Sequence, residues 1–210
     1  MTFDYILTVF ITIITIVDPI GMVPVFIPIA NRFPSNKHNK IILMSTAIAT
    51  LICSIFLFSG KQLFQYLQIQ HQSIYIVGGI LLFLVGLDMI YARPRRTRSS
   101  PEEEEEAMTL KDVSVFPLAI PMLSGPGTIA TTIMFASKHD SWSNYLIVFA
   151  ALITAFVITA IVMKFSSTIL KVLGQTGVNV LDRVMGIILC SLAVQFIINA
   201  IVGIVQNSRQ

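Results

Sequence analysis

Long apolar stretches alternate with short polar ones along most of this chain. A helix that crosses a bilayer needs about 20 mostly apolar residues. Six stretches approach or exceed that length, so the pattern predicts an all-α membrane protein with six transmembrane helices. The six segments are Phe3–Ile29, Ile41–Ser59, Ile74–Ala92, Val113–Ser137, Tyr145–Phe165 and Val184–Val205.

The composition supports a membrane protein. Of 210 residues, 55% are hydrophobic and 12% charged, and the mean hydropathy is +0.81, whereas soluble domains have about 25% charged residues. The basic residues lie between apolar segments, so a pI near 9.0 does not indicate nucleic-acid binding. We found no nucleotide-binding loop, metal motif or hydrolase spacing within a segment, and therefore expect neither a cofactor nor an enzyme.

The first and fourth segments each contain helix-breaking residues. Asp18-Pro19-Ile20-Gly21 interrupts the first, and Ser124-Gly125-Pro126-Gly127 interrupts the fourth. Proline lacks a backbone donor and clashes with the preceding turn, and glycine is a poor helix residue. In lipid, a broken helix persists only where protein or a wet cavity surrounds it. The motifs therefore predict helices 1 and 4 broken near the midplane, the alternative being long helices with a proline kink.

Each break can begin a second half-helix. Asp18 suits the N-cap with Pro19 at the first helical position, and Gly125 and Pro126 fit the same roles. Helix N-termini bind carboxylates, and the Asp18 carboxylate could hold an amine, so a small zwitterion fits both. The predicted substrate-binding residues are Asp18, Pro19, Gly21, Ser124, Gly125, Pro126, Gly127 and Thr128, with hydroxyls of Thr131 and Thr132 nearby. Alternatively, Asp18 is only a cap, and the hydroxyls bond to their own helix.

The two halves of the chain resemble each other. At an offset of 107 residues, Pro19 falls on Pro126, and six of 25 positions in 66–90 are identical. Each half has three crossings, so the second must enter from the opposite side. We predict two inverted three-helix repeats, 1–92 and 113–210, joined by a charged linker, 93–112. Gly78, Gly79 and Gly86 are interpreted as positions of close helix packing.

Loop charge predicts the orientation. Eleven of the 14 Lys and Arg residues lie in 30–40, 93–112 and 164–183, and three lie on the alternate side. The positive-inside rule places both termini outside and the linker, with its acidic run Glu102–Glu106, in the cytoplasm.

Four ordered motifs closely resemble the MarC family of bacterial and archaeal inner-membrane proteins. They are Asp18–Phe26, Gly78–Phe83, Pro117–Pro121 continuing into Gly125–Ile129, and Gly177–Gly186. The resemblance implies six spans in two inverted repeats, with the broken helices at the substrate site, and a transporter of small neutral amino acids such as glycine and alanine. Motif position points to Asp18, Pro19, Gly21, Gly125, Pro126 and Gly127, and the family accepts Asn at the position of Asp18.

Our leading hypothesis is a secondary transporter of small neutral amino acids in the bacterial inner membrane, with both termini periplasmic. The alternatives are a passive channel, an exporter of other small solutes, or a non-transporting membrane subunit. The expected partners are a neutral amino acid and the lipid bilayer. The sequence leaves open the coupling ion, a proton or sodium, and the oligomeric state.

Overall fold

A computed structural model of the chain describes residues 2–91 and 113–207, so the predicted linker, 93–112, lies wholly outside the described residues. Those residues are helical almost throughout and contain no strand, which confirms the all-α prediction. The helices are α1 (Phe3–Val17), α2 (Val23–Ala30), α3 (Ser35–Tyr66), α4 (His71–Ile90), the π-helical segment π1 (Ser114–Leu123), α5 (Pro126–Ala136), α6 (Trp142–Lys164) and α7 (Ser166–Asn207).

Within the described ranges, four helices are long and apolar enough to cross a membrane by length and composition: α3, α4, α6 and α7. Their outer faces carry large apolar side chains that the protein does not cover. Leu51, Val157 and Ile187 are 61%, 52% and 58% exposed. A soluble monomer rarely exposes a continuous apolar surface of this kind, whereas lipid accepts it. The chain is therefore a multi-pass integral membrane protein.

The helices extend beyond the apolar segments, and one predicted loop is wrong. α7 begins at Ser166, so most of 164–183 is helical and not a loop. Hydropathy shows where a helix leaves the apolar layer, but not where the helix ends. Lys171 and Gln175 are exposed polar residues with good helix propensity, so the helix includes them although the apolar pattern does not. A kink at Gly174 divides α7; its φ of 63° lies in the left-handed region, which glycine adopts without a steric penalty.

The short helices pack between the long ones. α1 lies against α6, and π1 lies against α3. α5 contacts α3 and α4, and α2 contacts α7. The buried side chains of these helices form one apolar core, which includes Leu82, Phe135 and Leu152, each fully buried.

α4 and α7 form the most extensive helix pair described, and glycine brings their backbones together. A Cβ atom on Gly79 would lie 2.9 Å from the carbonyl oxygen of Ala193, and one on Gly86 would lie 2.9 Å from that of Gly186. Between these points, Cys190 Sγ lies 3.6 Å from the carbonyl oxygen of Phe83. Close packing at Gly79 and Gly86 is therefore confirmed, whereas a Cβ on Gly78 would meet only Met134 Sδ, at an ordinary 3.6 Å.

The polar ends of the helices form two groups. At one end, Tyr5 bonds to Asn144, and Lys61 Nζ pairs with Asp140 at 2.6 Å. At the other end, the α2–α3 connection meets the junction of α6 and α7, where Lys164 lies. Stretches predicted to share a side of the membrane thus lie together.

Candidate functional site

The first break lies between Val17 and Val23, as predicted, but its geometry differs from the prediction. Asp18 ends α1 with a left-handed φ of 52°, and its N–H donates to the Ile14 carbonyl at 2.9 Å. Asp18 is therefore not the N-cap of a helix that starts at Pro19, because α2 begins only at Val23. The residue before a proline is disfavoured in the helical region, and this restriction ends α1 before Asp18.

Asp18 nevertheless caps the break. Its Oδ1 atom accepts a hydrogen bond from the backbone N–H of Gly21 at 3.0 Å, inside the turn that Pro19 begins. The aspartate is 3% exposed, and Pro19 is buried as well. A carboxylate is thus held at a buried interruption of an apolar helix, where ionisable residues are costly and commonly functional.

The second break begins a helix where the sequence predicts it. Gly125 is extended, with φ −68° and ψ 168°, and α5 starts at Pro126. The carbonyl oxygen of Pro121 lies 2.6 Å from the place that a Cβ on Gly125 would occupy, so a larger residue cannot fit without movement of the backbone. The first half of this segment, π1, was not predicted to be π-helical; its last turn closes with the Ser124 N–H on the Ala119 carbonyl at 2.9 Å.

The structure places the two breaks beside each other. A Cβ on Gly127 would lie 3.0 Å from Cδ1 of Ile16, two residues before Asp18. The first backbone bond of α5 runs from the Ile129 N–H to the Gly125 carbonyl at 3.0 Å, so the N–H groups of Gly127 and Thr128 precede the helical ladder. A helix N-terminus with partial positive charge therefore lies next to the turn that holds the Asp18 carboxylate.

The hydroxyl groups near the second break differ from one another. Ser124 Oγ donates to the Ala119 carbonyl at 2.8 Å, and Thr132 Oγ1 donates to the Thr128 carbonyl at 2.7 Å. Both therefore bond to their own segment, as the alternative interpretation held. Thr131 Oγ1 is fully buried and has no hydrogen-bond partner among the described residues. A buried hydroxyl without a partner is costly, so Thr131 is the hydroxyl best suited to a bound polar ligand.

Among the remaining predicted residues, Gly21 is half-buried in the first turn, Thr128 is 4% exposed, and Pro126 is exposed. No ligand contact of these residues has been tested, so their binding roles stay predictions.

Sequence reasoning missed a polar network at one end of the protein. Tyr5 Oη donates to Asn144 Oδ1 at 2.6 Å, and Asn144 Nδ2 donates to the Phe135 carbonyl at 2.8 Å. Lys138 Nζ lies 4.9 Å from the centre of the Tyr5 ring, and burial lowers the pKa of this lysine. The network ties the start of α1 to the α5–α6 connection. An asparagine within three residues of a predicted span was the available signal.

Comparisons with known proteins place the chain among membrane proteins. The family model described as MarC family integral membrane protein matches residues 3–205. The Escherichia coli UPF0056 membrane protein YhcE is 33% identical over 93% of this chain and 91% of its own length. The E. coli UPF0056 inner membrane protein YhgN is 31% identical over 90% and 92%. A UPF0056 membrane protein of Methanocaldococcus jannaschii is 30% identical over 93% and 86%. No solved structure matches the chain.

Proposed function

The chain belongs to the MarC family of integral membrane proteins, and from that premise we propose that it is a secondary transporter of small neutral amino acids, such as glycine or alanine. The substrate occupies the facing breaks of the first and fourth apolar segments.

The observation that carries the proposal is the adjacency of two buried helix breaks. Gly127 lies against Ile16, so the start of α5 adjoins the end of α1. Paired interruptions of apolar helices are found at the substrate sites of transporters, where freed backbone groups bind the solute. A buried carboxylate, Asp18, close to a helix N-terminus favours a solute site over a non-transporting subunit, because ionisable residues within membrane helices are costly and commonly functional.

Packing of α4 on α7 supports the inverted repeat. At the offset of 107, Gly79 corresponds to Gly186, and Gly86 corresponds to Ala193. Gly79 contacts Ala193, and Gly86 contacts Gly186. Replacing both residues of one contact by their counterparts in the other half of the chain therefore gives the other contact. Phe83 contacts Cys190, its own counterpart. Such an exchange is what a two-fold axis between antiparallel helices produces.

Four further helix contacts follow the same exchange. α1 packs on α6 as π1 packs on α3, and α5 packs on α4 as α2 packs on α7. In each case the second pair joins the counterparts of the first. An axis in the membrane plane between α4 and α7 accounts for all of them, and inverted repeats of secondary transporters have such an axis.

The substrate is bound by complementary charge. The carboxylate of the amino acid accepts hydrogen bonds from the Gly127 and Thr128 N–H groups, and its ammonium group donates to a side-chain oxygen of Asp18, which an asparagine would also supply. Thr131 lies one turn below Gly127 on the same face of α5 and gives its hydroxyl to the substrate. The surroundings of Gly127 favour a small solute, because Ile16 and Val85 lie within 3.6 Å of the place that a Cβ would occupy and leave little room.

We place the protein in the inner membrane with both termini in the periplasm. The eleven-to-three division of basic residues supports this orientation. The E. coli relative YhgN is named an inner membrane protein, which agrees with this proposal.

Counterflow in liposomes tests the transport function. Liposomes that contain the purified protein and are loaded with unlabelled glycine or alanine should accumulate the labelled amino acid. Thr131→Val should reduce this uptake about tenfold or more, because a hydrogen bond to a charged group is worth about 1.5–3 kcal/mol. Thr131→Val should fold normally, since its hydroxyl bonds to none of the described residues and so has no such bond to lose.

Thr132→Val is the matched control. It changes the neighbouring residue in the same way, but removes a hydroxyl that bonds within α5. Equal uptake by the wild type and Thr131→Val would show that the Thr131 hydroxyl does not bind the substrate. Failure of the wild type to exchange any small neutral amino acid would refute the assigned substrate class.

A further inference from the structure

A separate cavity of about 250 Å³ lies at the polar end of the protein where α2 ends, α3 begins and α6 meets α7. The apolar part of its lining includes Phe26 and Ile42. The rest of its lining is polar and includes no acidic residue in the part of the chain that the structure describes. The polar lining residues are Asn31, Ser35, His38, Asn39, Lys164, Ser166 and Ser167.

One cation and one buried hydroxyl face this space. Lys164 is exposed at the end of α6 and forms no ion pair with any described residue. Ser166 is 4% exposed and lines the cavity, and its hydroxyl has no hydrogen-bond partner among the described residues. This hydroxyl can therefore bond to a ligand in the cavity without giving up a bond to the protein.

Two helix N-termini add backbone donors. The first amides of α7 that bond backward are those of Thr168 and Ile169, both to the Phe165 carbonyl at 3.0 Å, so the amides of Ser166 and Ser167 precede the ladder. α3 likewise begins at the cavity, with Ser35 as its first residue. Two N-termini and one ammonium group concentrate positive potential, which favours an anion.

His38 holds the wall of the cavity in place. Its Nε2 atom lies 2.8 Å from the Ala30 carbonyl oxygen and 3.0 Å from that of Phe33. Both are acceptors, so Nε2 carries the proton and donates. The end of α2 is thereby fixed to the first turns of α3, and the donors around the cavity are already in position before a ligand binds.

We propose that this cavity is a binding site for a phosphate group, distinct from the substrate site at the helix breaks. A phospholipid headgroup is one source of this chemistry, and free phosphate is the other. A lipid is the favoured source, because the exposed apolar side chain of Phe165 lies between the lining residues Lys164 and Ser166 in the chain and could contact acyl chains. Lys164 and Ser166 make the principal contacts, since they supply the charge and the unused hydroxyl.

Binding can be measured on the purified full chain with two probes. Native mass spectrometry in detergent would count adducts of phosphatidylglycerol, and calorimetry would measure inorganic phosphate. Lys164→Gln and Ser166→Ala should each weaken binding by about tenfold or more, since a charge-assisted hydrogen bond contributes about 1.5–3 kcal/mol. Ser166→Ala should leave the unfolding midpoint unchanged, because no residue that the structure describes forms a hydrogen bond with its hydroxyl.

Lys171→Gln is the matched control, because it removes the same charge from exposed α7 surface outside the cavity. Adducts of phosphatidylglycerol that depend on Lys164 and Ser166 but not on Lys171 would identify a lipid site. If calorimetry instead detects binding of inorganic phosphate that depends on Lys164 and Ser166, and no lipid adduct forms, the cavity is a site for the free ion. Binding of neither probe, or an equal loss in Lys171→Gln, would overturn the proposal while leaving amino acid counterflow unaffected.

Discussion

Alanine at Gly79 tests the close packing of α4 on α7. The added methyl group would lie 2.7 Å from Cγ1 of Ile197 and 2.9 Å from the Ala193 carbonyl oxygen. The isoleucine can turn away, but the carbonyl is part of the α7 backbone and moves only if the helices separate. Overpacking of this kind costs about 1–3 kcal/mol.

Gly78→Ala is the matched control, one residue away in the same helix. Its methyl group would meet only Met134 Sδ at 3.6 Å, an ordinary contact. Both variants gain the same helix preference of alanine over glycine, so that contribution cancels in their difference. We expect Gly79→Ala to be less stable than Gly78→Ala by the full overpacking cost, about 1–3 kcal/mol.

The measurement is the unfolding of purified protein in one detergent, followed by circular dichroism. Gly86→Ala should lose a similar amount to Gly79→Ala, because its methyl group would lie 2.9 Å from the Gly186 carbonyl oxygen, in the counterpart contact. If Gly79→Ala and Gly78→Ala unfold alike, the backbones do not meet at this point. The packing argument for the inverted repeat would then fail with it.

Three further predictions concern the first break and the polar network. Asp18→Asn should keep the bond to the Gly21 N–H and tolerate the left-handed φ, whereas Asp18→Ala should lose about 1–2 kcal/mol and most transport. Equal inactivity of two folded variants would show that the negative charge is required. Tyr5→Phe should lower stability by about 1 kcal/mol by removing the donor to Asn144, and an unchanged unfolding midpoint would contradict this. Because burial lowers the pKa of Lys138 from 10.5, the folded protein binds fewer protons than the unfolded chain between the two values. Stability should therefore rise with pH across that interval and should do so less in Lys138→Met, which a pH series of unfolding midpoints would measure.

The positions of both breaks could be predicted because proline and glycine restrict the backbone locally. The geometry of the first break could not. An Asp-Pro pair can begin a helix with the aspartate as N-cap, or end one with the aspartate in the left-handed region. The structure has the second arrangement, with Met22 completely buried and α2 delayed to Val23. That choice depends on tertiary packing, which a local motif does not contain.

The roles of the hydroxyl groups were also beyond prediction. Thr131 and Thr132 are neighbours with the same side chain, yet one lacks a partner and the other bonds to its own helix. The difference arises from the surroundings of each face of α5. The π-helical form of π1 was equally hidden, because its bonds join residues five apart and the hydrophobic pattern of Ser114–Leu123 does not report that spacing.

The two polar ends bear on the transport cycle when compared at the proposed repeat offset of 107. Phe58 corresponds to Phe165, and Tyr145 corresponds to His38. At one end, Phe58 is 43% exposed and stacks on Tyr145 with ring centres 6.0 Å apart. At the other end, Phe165 is 54% exposed, and His38 lines a cavity of about 250 Å³.

In the proposed inverted repeat these two ends occupy equivalent places, although their residues differ, as Tyr145 and His38 do. In transporters with this architecture, alternating access arises when one repeat moves against the other around a fixed site. For the proposed transporter, an end with stacked rings and an end that holds a cavity would belong to one state of that cycle. The opposite state would open the Tyr5–Asn144 end and close the space around His38, with the helix breaks remaining between them.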